Sequence, residues 1–349
     1  MALGVGVAVG GDEPFAAVLA RARRLDVGPA LDHLWVADER FRRDVWLTLG
    51  GLAAATRRLT LATCVTDPFI RHPALTGAAI ASLADAAPGR TVLGLGAGVS
   101  GFGALGIKRD RPALALRETI EFVRLLWSSP EPFDFQGVTV RFDGARLGFT
   151  PPGPIPIYVA GRGPRILELA GELADGVLVA TFLDGPLLQA SLRRVAAGEA
   201  RRPSGLSPLR RVSWAYVSID DDRNAARDAV RRGIAVALWG SRNVVEELGI
   251  ELPTELVRLM AQEPYSIESE TIGRAAALVP DDLVDACSVA GPPGECAAKL
   301  AALAARGFGD VACWLFETTA VPHARMVERL VEEVVPQLRA LEIAPAVGR

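Results

Sequence analysis

The chain has 349 residues, half of them apolar and 23% charged, which is typical of a globular protein and excludes a disordered or collagen-like polypeptide. Lys and Arg total 38 against 41 for Asp and Glu, so a formal net charge of −3 offers no positive field for nucleic acid. The four cysteines form no C-x-x-C pair and there are three histidines, so no metal site is expected. The N-terminal segment lacks a signal-peptide pattern or a span, which predicts a cytoplasmic protein without a membrane partner.

Short apolar runs alternate with helical patterns along most of the chain, which is typical of βα units on a parallel sheet. Strands are predicted at residues 3–9, 33–37, 59–65, 91–96, 155–160, 176–180, 212–219 and 311–316. Helices are predicted at residues 14–25, 44–56, 73–87, 112–127, 164–174, 186–197 and 294–305. Eight strands with intervening helices favour an α/β fold of the (β/α)8 TIM-barrel type over a doubly wound sheet.

Two segments interrupt this repeat. Residues 128–154 predict a β-hairpin after the fourth helix, and residues 221–285 carry extra helical material between the seventh and eighth strands. We therefore expect one barrel domain over residues 1–349 with two insertions. Such insertions usually extend the loops that shape substrate access.

Glycines follow the fourth predicted strand, where Gly96, Ala97 and Gly98 begin a G-x-G-x-x-G match. A Rossmann dinucleotide site requires a helix directly after the third glycine, whereas here Pro112 is the first helical signal. We therefore favour a loop at a barrel mouth, where glycines let the backbone approach a flat ligand. A loop without any ligand is the alternative.

The fifth strand ends in Ala160, Gly161, Arg162 and Gly163, directly before a helix that starts at Pro164. Backbone N–H groups and the helix dipole converge there on a point that suits a phosphate or another anion. Arg162 would add a charged hydrogen bond. A glycine-rich junction without a ligand is again the alternative.

Acidic residues follow the second strand as Asp38 and Glu39, whose side chains point to opposite sides in an extended chain. Glu39 is the candidate general acid or base, and an ion pair with Arg40, Arg42 or Arg43 is the structural alternative. No Ser-His-Asp order and no G-x-S-x-G elbow is present, which argues against a hydrolase.

Three stretches carry a resemblance to a known family: LDHLWVADERFRRDVWLTL, TDPFIRHPALTGAAIASLADAAPGRTVLGLGAG and PIPIYVAGRGPRILELAGELADGVLV. They resemble the bacterial luciferase-like superfamily of flavin- and deazaflavin-dependent oxidoreductases. Within it they are most similar to the methylenetetrahydromethanopterin reductase branch, which uses coenzyme F-420, an 8-hydroxy-5-deazaflavin also written F420. The resemblance implies a (β/α)8 barrel with a large insertion near the seventh strand, and a homodimer.

The resemblance also assigns roles to the strand ends. The third strand would end in a bulge with a non-prolyl cis peptide at Cys64–Val65, beside Thr66, behind the deazaflavin ring. Asp38 would contact the cofactor. Gly96, Ala97 and Gly98 would line the cofactor's ring or its tail. The phosphate would lie in the cradle formed by Ala160, Gly161, Arg162 and Gly163.

Three positions depart from the family pattern. Methanogen reductases have acidic residues where this chain has Gly6 and Val99, and a His where it has Glu39. These differences argue against the pterin reductase and sugar dehydrogenase activities. The expected function is therefore hydride transfer between F420 and a small organic substrate, with Glu39 as proton donor. The alternatives are an FMN-dependent monooxygenase and a non-catalytic cofactor-binding homologue.

Overall fold

A computed structural model describes residues 2–98, 102–261 and 269–343. The strands are β1 (Gly4–Val9), β2 (His33–Val36), β3 (Thr60–Thr63), β4 (Thr91–Gly96), β5 (Phe133–Gln136), β6 (Arg141–Ala145), β7 (Ile157–Gly161), β8 (Gly176–Ala180), β9 (Arg210–Ile219), β10 (Ser288–Gly291) and β11 (Asp310–Leu315). All eight strands predicted from the sequence are confirmed.

The helices follow in the same order as the sequence predicts, with ends within two residues of the expected ones wherever a helix was predicted. They are α1 (Phe15–Leu25), α2 (Val45–Ala55), α3 (Pro73–Ala86), α4 (Pro112–Ser128), α5 (Pro164–Leu173), α6 (Gly185–Glu199), α7 (Arg223–Gly240), α8 (Arg242–Glu247), α9 (Thr254–Met260), α10 (Glu270–Ala276), α11 (Asp281–Cys287), α12 (Pro293–Ala305), α13 (His323–Arg329) and α14 (Val335–Ile343). A 3₁₀ turn covers Gly103–Leu105, and a π-helical turn, Leu330–Val334, joins the last two helices.

Eight parallel strands close into a barrel in the order β1-β2-β3-β4-β7-β8-β9-β11, because β11 pairs back onto β1. The pairing of β8 with β9 completes the circle. The fold is therefore a (β/α)8 barrel, and the doubly wound sheet and the Rossmann site considered from the sequence are both wrong.

A further parallel strand, β10, pairs with the C-terminal half of β9. This strand was not predicted from the sequence. Its four residues are all buried and follow a long helical segment. A buried run this short has no hydrophobic periodicity to identify it. As a result β9, with ten residues, contacts β8 along its first half and β10 along its second.

Both insertions adopt the predicted type of structure. Residues 128–154 contain the antiparallel hairpin β5–β6, and residues 221–285 contain α7 to α10 and most of α11. Glu118 of α4 holds the hairpin, because its carboxylate accepts hydrogen bonds from the N–H groups of Val138 (2.8 Å), Thr139 (2.7 Å) and Val140 (2.9 Å). These bonds outweigh the effect of burial and lower the pKa of Glu118.

Side chains alternate between the barrel interior and the surrounding helices, as the pleat requires. The interior cluster consists of Trp35, Ala62, Cys64, Val92, Tyr158, Ala160, Leu178, Val212 and Ala312. At the amino ends of the strands, Arg210 forms a bidentate ion pair with the buried Asp310, at 2.5 and 2.8 Å. His33 lies beside Asp310, and burial lowers its pKa.

Candidate functional site at the carboxyl ends of the barrel strands

The candidate site is the mouth of the barrel at the carboxyl ends of the strands, where (β/α)8 barrels carry their active sites. The polar groups that reach this end come from different strands. They are Asp38 after β2, Thr66 after β3, Arg162 after β7, Thr181 after β8 and Tyr216 within β9.

Asp38 and Thr66 are in direct contact, as the assignment of both to the cofactor site requires. The Thr66 hydroxyl donates to Oδ2 of Asp38 at 2.7 Å. The backbone holds Thr66 in place, because its N–H donates to the Gly94 carbonyl (3.0 Å) and its carbonyl accepts from the Gly96 N–H (2.9 Å). Burial raises the pKa of Asp38, and the negative charge of Asp67 acts in the same direction.

The peptide bond between Cys64 and Val65 is cis, at the position where the family resemblance implies one. The Cys64 side chain is 2% exposed and packs inside the barrel, and burial raises the pKa of its thiol. Cys64 therefore presents its backbone, not its thiol, to the barrel mouth.

The glycines of β4 serve the packing of this bulge. A Cβ on Gly96 would lie 2.5 Å from Cγ2 of Val65, and one on Gly94 would collide with the Thr63 carbonyl. Gly98 has a φ of +59°, and a Cβ there would lie 2.7 Å from the Phe102 ring. The missing side chains of Gly96 and Gly98 are thus explained by contacts within the protein. The third glycine of the G-x-G-x-x-G match lies outside the described residues.

A second cluster joins the ends of β2, β3 and β4 and was not predicted. Arg40 forms an ion pair with Asp67, whose side chain is 2% exposed, and its guanidinium carbon lies 4.3 Å from the centroid of the Phe102 ring. Arg109 also stacks on Phe102, at 5.4 Å, and donates to the Gly98 carbonyl. The adjacent acidic and basic residues after strands two and three are the sequence signal for this cluster, although the sequence does not show which of them pair.

Glu39 faces the end of β1, whereas Asp38 faces β3, so the two side chains point apart as the extended backbone predicts. Oε2 of Glu39 lies 3.9 Å from the position of a Cβ on Gly10. Arg40 pairs with Asp67, and Arg43 donates to the carbonyls of residues 11 and 12 at 2.9 and 2.7 Å. Arg42, the third arginine considered as a partner of Glu39, forms an ion pair with Asp12.

Arg162 turns toward β8 and β9. Its Nη2 donates to Oγ1 of Thr181 (3.2 Å) and to the Tyr216 hydroxyl (3.4 Å). Thr181 is fully buried and has a φ of +77°, which is rare for a β-branched residue and typical of functional sites. Thr181 and Tyr216 were not predicted, because nothing local in the sequence distinguishes them from core residues.

The other members of the β7–α5 junction divide into packed and open positions. Gly161 is packed, because a Cβ there would lie 2.6 Å from Cγ2 of Ile166. Ala160 belongs to the barrel interior. Gly163 is the N-cap of α5, and no atom lies within 4 Å of a Cβ built on it. The open backbone at Gly163 is thus the part of the predicted phosphate cradle that is free for a ligand.

Packing explains why position 6 is a glycine and not the acidic residue that the family resemblance implies. A Cβ at position 6 would lie 2.5 Å from Nε1 of Trp35, so the indole fills the place of a longer side chain. Val99, the other departure, lies outside the described residues.

Four large aromatic residues, Phe182, Trp214, Trp239 and Trp314, differ in burial. Phe182 is 1% exposed and belongs to the core, whereas Trp214 and Trp314 are partly buried and stack at 5.8 Å. Trp239 packs against the core and carries Arg242 over its ring.

Two further expectations concern metals and membranes. Within residues 2–98, 102–261 and 269–343 no three His, Cys, Asp or Glu side chains form a group that could hold a metal ion. Among the helices of the same ranges, none has the length and apolar character needed to cross a membrane.

The fold and the site together define a (β/α)8-barrel protein with a polar ligand site at the strand ends. The family model described as luciferase-like monooxygenase matches residues 2–310, which is most of the chain. The protein therefore belongs to the luciferase-like monooxygenase family.

Relatives of characterised function are similar over most of their length. A 5,10-methylenetetrahydromethanopterin reductase of Archaeoglobus fulgidus is 31% identical over 311 residues, which is 88% of this chain and 92% of the relative. An F420-dependent glucose-6-phosphate dehydrogenase of Beutenbergia cavernae is 32% identical over 301 residues, covering 84% and 82%.

Solved structures agree on the fold. The coenzyme F420-dependent tetrahydromethanopterin reductase of Methanopyrus kandleri superposes with a TM-score of 0.78 at 24% identity, over 97% of this chain and 100% of the other. An F420-dependent secondary alcohol dehydrogenase, solved with an F420-acetone adduct, superposes with a TM-score of 0.73 at 22% identity, over the whole of both chains.

The raised pKa of Asp38 predicts a pH-dependent effect of Asp38→Asn. A carboxyl group whose folded pKa is raised above its ordinary 3.8 adds stability only at low pH, and this contribution is lost as pH rises through the folded pKa. We expect Asp38→Asn, which can still accept from Thr66, to raise the thermal midpoint relative to wild type more at about pH 7.5 than at about pH 4.5. Calorimetry measures this difference. The exposed Asp85→Asn on α3 is the control, and an Asp38→Asn difference independent of pH would contradict the prediction.

Proposed function

We propose that the protein is an oxidoreductase that uses coenzyme F420 to move a hydride to or from a small organic substrate. The observation that carries this proposal is the contact between Asp38, which follows β2, and Thr66, which follows β3. The named activities of the relatives support the same cofactor.

The residues at the barrel mouth fit a deazaflavin. Oδ1 of Asp38 has no hydrogen-bond partner among the described residues, so it is free to bind a ligand. Val65 and Thr66, with the backbone of Cys64, would support the back of the ring, and Gly96, Ala97 and Gly98 would lie along the ring or its tail. Gly163, at the first turn of α5, would bind the phosphate together with Ala160, Gly161 and Arg162.

When bound, F420 supplies or accepts a hydride at C5 of its ring. The protein's part is to orient the reactants, exclude water and manage a proton. We assign the role of proton donor to Glu39. Its carboxylate lies at the end of β1, on the opposite side of β2 from the Asp38–Thr66 pair, so it is separate from the pair that we assign to the cofactor. Asp38 is a cofactor contact in this scheme.

Cofactor binding is the direct test. We expect the purified protein to quench F420 fluorescence with a Kd of about 1 µM or below, and to bind FMN much more weakly. Preferential binding of FMN, followed by oxygen consumption with reduced FMN, would establish the monooxygenase instead. Binding of F420 without turnover of any substrate would identify a non-catalytic homologue, and binding of neither cofactor would overturn all three proposals.

Glu39→Gln tests the proton donor. The amide keeps the size of the side chain but cannot donate a proton, so we expect turnover to fall by about 10²-fold or more while F420 affinity changes little. Stopped-flow absorbance of the deazaflavin, with a substrate identified by screening, measures turnover. An unchanged rate would remove Glu39 from the mechanism.

We propose that the barrel and both insertions act as one catalytic unit in the cytoplasm. The hairpin is bonded to α4 through Glu118, and the Leu183 N–H after β8 donates at 3.0 Å to the Ala286 carbonyl of α11, the helix in which the second insertion ends. The four cysteines are free thiols, which suits a reducing compartment.

We also propose a homodimer that buries the face formed by the first turns of α2 and α3 and by the hairpin. Its exposed apolar side chains are Phe41, Leu47, Ile70, Leu75 and Phe142. These elements are neighbours, because Asp44 pairs with Arg71 at 3.6 Å and His72 contacts the Phe142 ring at 5.8 Å. Asp44 and Arg71 neutralise each other, so this ion pair adds no net charge that would repel an identical copy.

Leu47→Glu tests the homodimer. The substitution places a carboxylate three residues after the N-cap Asp44 of α2, a favourable position for the helix, so we expect a folded monomer. Sedimentation velocity measures the change in mass. Leu341→Glu, at another exposed leucine, on α14, is the control and should leave a dimer. A wild-type monomer, or a Leu47→Glu dimer, would contradict the proposal.

A further inference from the structure

A separate cavity of about 260 Å³ lies behind the barrel mouth, between α5, α6 and α8. Pro164 and Leu167 form its wall on α5, and Val244 and Leu248 form its wall on α8. Residues of one face of α6 close it, and Arg162 reaches it from the end of β7. The lining thus combines apolar side chains of α5 and α8 with charged ones, and the Arg162 guanidinium lies at the end nearest the barrel.

The charged residues of the cavity are unbalanced in favour of positive charge. Arg162, Arg193 and Arg194 line it, whereas Glu247 is its carboxylate. Arg194 is paired, with Glu168 at 3.2 Å and with Glu247 at 3.0 Å. Arg162 and Arg193 form no ion pair with any residue in the described ranges. Two guanidinium groups are therefore free to bind an anion.

The guanidinium group of Arg162 also has few hydrogen-bond partners in its surroundings. Its Nε is buried without a hydrogen-bond partner, and its Nη2 contacts two neutral hydroxyls at 3.2 and 3.4 Å. Its Nη1 lies near Gly240, the last residue of α7, where the helix dipole gives partial compensation. A half-buried guanidinium without a carboxylate gains from an anion that approaches it.

We propose that this cavity binds a small amphipathic anion, a phosphate or carboxylate on a compact apolar group, with the anion between Arg162 and Arg193. The apolar part would lie against Leu167, Val244 and Leu248. Since a cavity of about 150 Å³ holds benzene, 260 Å³ accommodates a ring and its charged substituent.

Arg162 links this cavity to the barrel mouth. An anion that binds its guanidinium in the cavity competes with the Thr181 and Tyr216 hydroxyls, and with the cofactor phosphate that we propose for the same guanidinium. By linkage, the anion and the ligand of the mouth alter each other's affinity by the same factor. This coupling rests on the proposed cofactor site, whereas anion binding itself does not.

Calorimetric titration of the apoprotein with phenyl phosphate tests the site, with phenol as the neutral probe of the same ring. We expect phenyl phosphate to bind and phenol to bind at least about tenfold more weakly, because the anion supplies charged hydrogen bonds. Arg193→Ala should weaken phenyl phosphate about tenfold. Ala190→Phe, which fills the cavity from α6, should abolish binding.

Arg165→Ala is the matched control, because Arg165 is an exposed arginine of α5 outside the cavity lining. It should leave the affinity within about twofold of wild type. Equal losses from Arg165→Ala and Arg193→Ala would show general surface attraction and overturn the site. Equal binding of phenol, or no binding of either probe, would overturn it as well.

The coupling is then measured by titrating F420 with and without saturating phenyl phosphate. A change in F420 affinity that Arg193→Ala removes supports the link through Arg162. An unchanged affinity overturns the link and leaves the anion site standing. Because the first titration contains no cofactor, failure of the F420 proposal and failure of the anion site are distinguishable.

Discussion

The close approach of the end of β3 to β4 is the contact on which the candidate site depends. β4 offers no side chain at Gly94 or Gly96, so the backbone of Thr63 and the side chain of Val65 occupy that space. The bulge then returns to the sheet through two backbone hydrogen bonds of Thr66. Only in this position does the Thr66 hydroxyl reach Asp38, because β2 lies on the other side of β3.

The charged residues at the barrel mouth have two different roles. Asp67 and Arg40 neutralise each other, and Phe102 lies against their ion pair, which ties the loop after β4 to the neighbouring strands. Asp38 is held by a neutral hydroxyl instead, and burial raises its pKa. A carboxyl group in such surroundings is available to a ligand, whereas a carboxylate already paired with an arginine is not.

The departure from the family's acidic pattern at Gly6 is accommodated by packing. Trp35 fills the space above Gly6, so the barrel interior is complete without a carboxylate at that position. On the far side, the second insertion places α8 over α5 and α6, which creates the cavity behind Arg162. The same arginine therefore belongs to two surroundings, one at the strand ends and one outside the barrel.

Local sequence patterns determined the eight strands, the seven helices between them and the hairpin. Apolar periodicity, helix-initiating prolines and turn residues each act over a few residues, so they can be identified in the sequence alone. The location of Asp38, Thr66 and Gly163 at the barrel mouth could also be predicted, since parallel strands in a barrel bring their carboxyl ends together. Tertiary structure alone decided that Arg40 pairs with Asp67, that Arg162 turns to Thr181 and Tyr216, and that β10 joins β9. These contacts join residues far apart in the chain, and the partner of a long side chain depends on the space and charge that other strands leave around it.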